Sequence, residues 1–255
     1  YKIEAWIDTN QDQVAHWFDV IAFFDAQNSL GNFVFNHPDH CFPEIVSSKF
    51  VIDAQQLGHP LISKEKRVDN DFSIQGTNFF IITGANMAGK STFLRTVSLS
   101  IIMANIGLPV CAKSFDYSPI KLITSMRTSD SLTDDESYFF SELKRLKMII
   151  ESVQLTEKPG DYFIILDEIL KGTNSIDKAI GSRKFVERLV KLGAMGIIAT
   201  HDLSLCEISK DLSEVKNYYF DAEIIDNELH FDYTFKEGIC KNMNASFLLK
   251  KMEII

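Results

Sequence analysis

The hydrophobic positions at the start of the chain are spaced as on one face of a helix. In residues 11–28, large apolar side chains recur three and four positions apart, at Val14, Trp17, Phe18, Ile21 and Phe24. This spacing predicts an amphipathic helix that buries one face. The next stretch, NHPDHCFPE, contains two prolines and predicts a connection to a new unit. We therefore expect a helical segment over 1–47 and a second domain over 48–255, with the boundary near Ser47.

Beyond that boundary, strand-like runs alternate with helical stripes. Runs typical of strands occur in KFVIDAQQLGHPLI, FSIQGTNFFIITG, KLITSMRT, YFIILDE and AMGIIAT. Helical patterns cover residues 92–106, 137–153 and 176–192, and the first ends at Gly107 and Pro109. This alternation predicts right-handed crossovers and an α/β fold, in which helices cover both faces of a mostly parallel sheet.

The carboxy-terminal pattern is less regular. The stretch VKNYYFDAEIIDNELHFDYTF predicts strands near the edge of the sheet, with a turn at Asp226 and Asn227. From Asn244 onward the pattern predicts a final helix. We find no internal repeat.

Composition and charge narrow the class of protein. The chain has 255 residues, of which 45% are hydrophobic, and this is enough to fill a sizeable core. It carries 35 acidic and 26 basic residues, a formal net charge of -9. A broad surface for the nucleic-acid backbone needs an excess of lysine and arginine, so the charge argues against one.

Cysteine usage and hydropathy bear on location. The four cysteines are widely spaced without a CxxC pair, so neither a disulfide framework nor a thiolate zinc site is indicated. We expect a reducing, cytoplasmic location. No apolar run approaches the roughly 18 residues that span a bilayer, and no membrane contact is evident. Because the sequence begins at Tyr1 and not at methionine, we expect a piece of a longer protein.

A glycine-containing motif lies between an apolar strand and a helix. Residues 84–91 read GANMAGKS and fit the pattern G-x-x-x-x-G-K-[ST]. The glycines let backbone N–H groups turn toward phosphate oxygens, and the helix amino terminus adds partial positive charge. Lys90 would reach the terminal phosphates and Ser91 would be a magnesium ligand. An ordinary strand-to-helix turn is the alternative. The predicted phosphate-binding residues are Gly84, Ala85, Asn86, Met87, Ala88, Gly89, Lys90, Ser91 and Thr92.

Two carboxylates follow the apolar strand YFIILDE. A strand that ends in Asp167 and Glu168 delivers them to the carboxyl edge of a parallel sheet, where ligands bind. Asp167 would hold magnesium, and Glu168 could orient and deprotonate a water that attacks the terminal phosphate. A kinase would not need Glu168, whereas a hydrolase would. An acidic pair after a strand is otherwise most often a solvated turn.

Histidines form the third group of candidates. His201 lies just past the next strand, in GIIATHD, and could sense or hydrogen-bond the terminal phosphate. We thus predict Lys90, Glu168 and His201 as catalytic. His37 and His40 flank Pro38 and Asp39 and are interpreted as ordinary loop residues; a metal pair is the less favoured alternative, because no further ligand is apparent nearby.

Taken in order, these motifs resemble the ATPase domain of the MutS family of DNA mismatch-repair proteins. TGANMAGKSTFLR resembles the family's phosphate loop, LDEILKGTNSID its acidic strand with the loop behind it, and ATHDLSL its histidine segment. GHPLI and VDNDF are similar to the segments that open the domain, and the second implies that Val68 lies near the adenine. The resemblance implies a P-loop, ABC-type ATPase with ATP and Mg²⁺. It covers residues 10–255, with the first forty resembling the end of the family's lever region.

The resemblance also implies dimerisation through the ATPase domain. The segment SLTDDESYFFSEL is similar to the one by which the family closes the partner's nucleotide site, so Ser137 would reach across a homodimer. The chain departs from the family pattern at Asp135, Tyr138 and Ala85. A carboxylate at position 135 would repel the partner's phosphates. Ser137 is equally well interpreted as the amino-terminal cap of its helix.

Two functions remain open on this basis. The first is an ATP-hydrolysing switch that moves the parts of a DNA-associated dimer, with DNA contacted through segments absent from this sequence. The second is a nucleotide-gated interaction module in a MutS relative that does not repair mismatches. Asp135 favours this second function. The first is favoured by the combination of Lys90, Ser91, Asp167, Glu168 and His201. A third possibility, a transporter ATPase, is disfavoured because no LSGGQ-like segment occurs.

Overall fold

The structure is a computed structural model that describes residues 1–47, 51–126, 138–156, 161–226 and 228–241. The chain divides into two compact units, Tyr1–His40 and Cys41–Ile255. The division precedes the boundary expected near Ser47 because the connecting residues already pair with the second unit. Cys41 bridges to Val110, and a short strand at Glu44–Ile45 is paired within that unit.

The first unit consists of one helix, α1 (Lys2–Asn36), followed by a turn. The helical prediction for 11–28 is confirmed, and the helix extends well beyond it in both directions. Its predicted buried face is not observed, since no residue of α1 is buried and Phe18 remains 68% exposed. A single helix offers no second surface within its own unit against which to pack. In the described part of the chain, no helix is both long and apolar enough to cross a bilayer.

The second unit alternates strands with helices. Its strands are β1 (Glu44–Ile45), β2 (Val51–Leu57), β3 (Asn70–Gln75), β4 (Phe79–Gly84), β5 (Ser114–Tyr117), β6 (Lys121–Ser125), β7 (Tyr162–Asp167), β8 (Met195–Ala199), β9 (Val215–Phe220), β10 (Glu223–Ile225), β11 (Glu228–His230) and β12 (Lys236–Glu237). Its helices are α2 (Lys90–Asn105), α3 (Tyr138–Gln154), α4 (Ser175–Lys191) and α5 (Ile208–Asp211), with a 3-10 helix at Leu203–Glu207. The helix predicted from Asn244 onward, and Asn227 of the predicted turn, lie outside the described residues.

The main sheet has six strands in the order β12–β9–β4–β8–β7–β6. All neighbouring pairs from β9 to β6 are parallel, and β12 alone runs antiparallel, at the edge beside β9. The prediction of a mostly parallel sheet is confirmed for this sheet. Because β4, β8 and β7 are adjacent and parallel, their carboxyl ends meet at one edge.

A second sheet was not predicted from the sequence. Its order is β1–β5–β2–β3, and β2 pairs antiparallel with both of its neighbours. Burial alternates along β3, where Asn70, Phe72 and Ile74 are buried and the residue that follows each of them is exposed. Such alternation is typical of an antiparallel sheet with one wet face, whereas β4 is buried at every position. The strands β10 and β11 form a separate antiparallel pair.

Both faces of the main sheet are covered. On one face, Phe79 and Ile81 of β4 pack in a cluster with residues of α3 and α4, including Ile149 and Val186. On the other face lies an aromatic group, in which the ring of Phe235 stacks on those of Phe93 at 4.5 Å and Tyr218 at 4.4 Å. Alternate residues of a strand point to opposite faces, so these two groups hold the sheet between them.

Candidate functional site

Three neighbouring strands end at one cleft of about 780 Å³. β4 leads into the glycine-containing loop, β7 ends at Asp167, and β8 is followed by Thr200 and His201. The cleft is lined by residues from all three places, among them Lys90, Glu168 and His201. Its volume falls in the range of small-molecule sites, about 300–1,000 Å³.

The loop after β4 has a backbone that ordinary residues adopt only with strain. Gly84 has φ 145° and Gly89 has φ 104°, both in the region that favours glycine. A Cβ on Gly84 would also lie 2.4 Å from the carbonyl oxygen of Phe220. Gly89 precedes α2, and no side chain caps this helix end. The first N–H groups of α2 and its dipole therefore make this end suitable for an anion.

Lys90 is buried at the base of this loop, with only 6% of its surface exposed. Its Nζ donates to the carbonyl oxygens of Gly84 at 2.7 Å and Ala85 at 2.9 Å. Burial lowers the pKa of Lys90 from 10.5 to about 8, although Glu168 and Asp167 favour the charged form. A nearby phosphate would favour the ammonium further, so the site is suited to an anionic ligand.

Glu168 is the best-anchored carboxylate of the cleft. Its Oε1 lies 2.7 Å from Nε2 of His201, and its Oε2 lies 2.9 Å from Nζ of Lys171. The hydrogen bond from His201, together with the Lys171 ammonium, holds the pKa of Glu168 well below its usual range despite partial burial. His201 Nε2, which faces Glu168, also lies 3.4 Å from Nζ of Lys90, so the three side chains lie side by side as one polar group.

The turn that carries Glu168 is supported from α3. Glu168 has φ 49° and Leu170 has φ 60°, which are uncommon values for residues other than glycine. The N–H of Glu168 donates to the carbonyl of Ala199 at 2.9 Å, and the N–H of Leu170 donates to Oε1 of Glu142 at 2.8 Å. These contacts from β8 and α3 hold a strained turn at the site.

Oxygen donors suited to magnesium lie in the same cleft. Ser91, at the start of α2, and Asp167, at the end of β7, both line it. A hydroxyl and a carboxylate are donors that Mg²⁺ accepts alongside water and phosphate oxygens. The residues present thus fit the ion that the loop motif implies.

A family model described as MutS domain V matches residues 80–251, about two thirds of the chain. The chain belongs to the MutS family. The match begins in β4 and includes the loop, both carboxylates and His201.

Similar MutS proteins come from distant organisms. The chain is 32% identical over 228 residues to "MutS protein homolog 4" of Homo sapiens, covering 85% of this chain and 23% of that protein. It is 29% identical over 242 residues to "DNA mismatch repair protein MutS" of Desulfatibacillum aliphaticivorans, covering 91% and 26%. It is 33% identical over 188 residues to "DNA mismatch repair protein MutS" of Aquifex pyrophilus, covering 72% and 21%. The chain spans about a quarter of the length of these curated relatives.

Most of the residues predicted as a site are brought together in this MutS domain. Those that line the cleft are Val68, Asn86, Met87, Gly89, Lys90, Ser91, Thr92, Asp167, Glu168 and His201. Ala85 and Ala88 are buried behind the loop surface, and Gly84 forms its bend. Ser137 lies outside the described residues, so its role stays a prediction.

Several residues that line the cleft were not predicted from the sequence, Lys171 and Tyr233 among them. Lys171 contacts Glu168, and a signal for it existed, since it follows Glu168 by three residues in the MutS-like segment LDEILKGT. Tyr233 lines the cleft, and its ring would lie 3.2 Å from a Cβ on Gly89. Asn70 fixes this segment, donating to the carbonyl of Tyr233 at 3.0 Å and accepting from the N–H of Phe235 at 2.7 Å. No local sequence pattern predicts that Tyr233 lies in the cleft, because Tyr233 and Gly89 are far apart in sequence.

Proposed function

We propose that this chain is a P-loop, ABC-type ATPase domain that binds ATP with Mg²⁺ and hydrolyses it. Hydrolysis would drive conformational change in a DNA-associated protein of the mismatch-repair type. The observation that carries the proposal is the connected group of Lys90, His201 and Glu168 at the mouth of the glycine-containing loop. A cation, a carboxylate base and an imidazole beside an anion site fit hydrolysis of a phosphoanhydride bond.

Each group would have a separate task. The loop N–H groups and Lys90 would bind the terminal phosphates, and Ser91 with Asp167 would hold the metal ion. When bound, Mg²⁺ supplies neutralisation of the charge that develops on the phosphate oxygens. Val68 and Tyr233 line the cleft and would contact the base by apolar packing and ring stacking.

Glu168 would orient the attacking water and accept its proton. The water oxygen bonds to the terminal phosphorus, the bond from that phosphorus to the ADP oxygen breaks, and ADP and phosphate leave. His201 contacts both Glu168 and Lys90, so it is placed to sense the terminal phosphate. Contacts that depend on this phosphate are lost after hydrolysis, and this loss would be the signal to the rest of the protein.

Partners and location extend the proposal beyond the chain. The names of the relatives, mismatch-repair proteins among them, favour action on DNA, which we assign to segments outside this sequence. We further propose a homodimer through the ATPase domain, with Ser137 closing the partner's site. A cytoplasmic location is supported by the four cysteines, which form no disulfide with one another.

The test is ATP binding and phosphate release by the wild-type protein and Glu168→Gln. The variant keeps the shape of the side chain but cannot accept a proton, so binding should persist while turnover falls by about 10²-fold or more. Glu151→Gln, an exposed glutamate of α3 outside the cleft, is the matched control and should turn over normally. Undiminished hydrolysis by Glu168→Gln would remove Glu168 from the mechanism. In the longer parent protein, a change of turnover on mismatched duplex would support the mismatch-repair assignment.

A second function is favoured by one observation. Glu168 is held by both Lys171 and His201, and a carboxylate with so low a pKa is a weak base. This arrangement, with Asp135, suits a nucleotide-gated interaction module whose turnover is slow. ATP binding by the wild-type protein without measurable phosphate release, with or without DNA, would favour the module over the ATPase.

A further inference from the structure

The turn after α1 places two histidines and a carboxylate side by side. His37 ends α1, and its N–H donates to the carbonyl of Val34 at 3.2 Å. The chain then folds back through Pro38 and Asp39, and the N–H of His40 donates to the carbonyl of His37 at 3.2 Å. The two imidazole rings stack with centroids 4.6 Å apart and planes 15° from parallel.

One ligand atom from each of His37, Asp39 and His40 lies within 4.8 Å of the others. Nitrogen and oxygen ligands sit about 2.0–2.2 Å from zinc, so two ligands of one ion lie at most about 4.4 Å apart. The three ligand atoms therefore lie near the spacing of one coordination sphere, and turning the two imidazole rings out of their stack toward a common point would close the remaining distance. We propose that this turn binds a divalent transition-metal ion of the zinc class through His37, Asp39 and His40.

The donor set selects this class of ion. Two imidazole nitrogens and one carboxylate oxygen suit zinc and its neighbours in the transition series, whereas magnesium and calcium prefer oxygen donors alone. Three protein ligands leave a coordination position for water or for a further ligand. The site differs in chemistry from the magnesium site proposed for the cleft, since Ser91 and Asp167 supply only oxygen.

The end of α1 also favours a cation. The carbonyl groups of the last turn carry partial negative charge, equivalent to about half an electron charge for a helix. No basic side chain occurs in the last turn of α1 to balance it. An ion held by the turn would supply that charge, and the Asp39 carboxylate would add to the attraction.

Phe33 packs against both rings. Its ring centroid lies 4.4 Å from that of His37 and 5.8 Å from that of His40. Packing of this kind limits the orientations open to the two rings and keeps them next to each other, as supporting groups do in metal sites. The competing explanation is that this packing serves only to terminate α1 and that the turn binds no metal ion.

The test is zinc binding by the metal-free full chain in competition with a chromogenic chelator, in buffer with excess Mg²⁺. We expect one equivalent to bind, and His37→Gln, Asp39→Asn and His40→Gln each to weaken binding by at least about tenfold. His16→Gln is the matched control, because His16 is an exposed histidine of the same helix, outside the cluster. It should bind as the wild type does.

Cobalt(II) substitution distinguishes this site from the cysteines and from the cleft. Visible bands without a thiolate charge-transfer band, lost in Asp39→Asn, would support the assignment. Asp39 is exposed, so this variant should fold even if a histidine variant does not. The proposal is overturned if zinc does not bind, if a thiolate band appears, or if Asp39→Asn binds zinc as tightly as the wild type.

Discussion

Burial of Lys90 disfavours its charged form, and a bound anion would offset this cost. Its ammonium is buried and is met by two loop carbonyls rather than by a direct ion pair. The carboxylate of Glu168 already pairs with Lys171 and His201. Without a nucleotide, the buried ammonium of Lys90 is therefore electrostatically unfavourable. A bound phosphate would relieve this cost, so the site should attract phosphate.

Replacing Lys90 by Met should abolish nucleotide binding and raise the free energy of unfolding. The pKa of Lys90 is about 8 in the fold against 10.5 normally, so the buried charge destabilises the fold below pH 8. One pKa unit corresponds to about 1.4 kcal/mol, and with the lost hydrogen bonds we expect a net gain of about 1–3 kcal/mol at pH 7.

The pH dependence gives this prediction a sign. Between about pH 8 and 10.5, Lys90 is protonated to a greater extent in the unfolded chain than in the folded protein. The unfolding free energy of the wild type therefore rises with pH relative to that of Lys90→Met. The difference in unfolding free energy between Lys90→Met and the wild type should therefore be smaller at pH 10 than at pH 7, as measured by urea unfolding. Lys191→Met on α4 is the control. Normal Mg-ATP affinity in Lys90→Met, or a difference that does not change with pH, would contradict this account.

Replacing Lys171 by Met should move the acid limb of the kcat/KM profile to higher pH. Lys171 is one of the two groups that keep the pKa of Glu168 low, so its loss lets Glu168 take up a proton at a higher pH. Lys178→Met, on α4 outside the cleft, serves as the control. An acid limb that stays in place would mean that Glu168 is not the titrating group.

The turn after β7 depends on a close fit between two elements. Gly172 follows Lys171, and a Cβ at this position would lie 2.8 Å from the Cβ of Phe139 on α3. α3 also accepts the N–H of Leu170 through Glu142. The sequence places Lys171 near Glu168, but the approach of α3 is what fixes the turn.

Replacing Gly172 by Ala should force this turn away from α3. Overpacking of this kind costs about 1–3 kcal/mol of unfolding free energy, and displacement of Lys171 should lower ATP turnover as well. The contrasting substitution is Gly31→Ala in α1, where nothing lies within 4 Å and helix content should rise. Urea unfolding and turnover measured together are the check, and an unaffected Gly172→Ala would show that the turn has room to adjust.

The assembled protein offers a test of Ser137. If it closes the partner's nucleotide site, Ser137→Ala and Lys90→Ala place their defects in different sites of a mixed dimer. Mixing the two inactive variants should then restore activity at the site that receives an intact Ser137 and an intact Lys90. Heterodimers that form but recover nothing would leave Ser137 as the cap of α3.

The candidate site was largely predictable because its signals are local. The loop, the acidic pair and His201 each follow an apolar strand within a few residues, and alternation with helices implies that such strand ends meet. The second sheet was missed because its alternating strands β2 and β3 were grouped with the buried strand β4. Asp39 was not predicted as a candidate ligand because a turn, not a periodic pattern, brings its carboxylate beside the histidines.

Patterns a few residues long were enough to predict the long helices, most strands of the main sheet and the position of the glycine-containing loop, since backbone preference and side-chain period act over that range. The pairing order of the strands, the contact of Lys171 with Glu168, and the placement of Tyr233 in the cleft emerged from packing between distant segments. Such contacts depend on how whole elements fill the space between them, and no short stretch of residues encodes that.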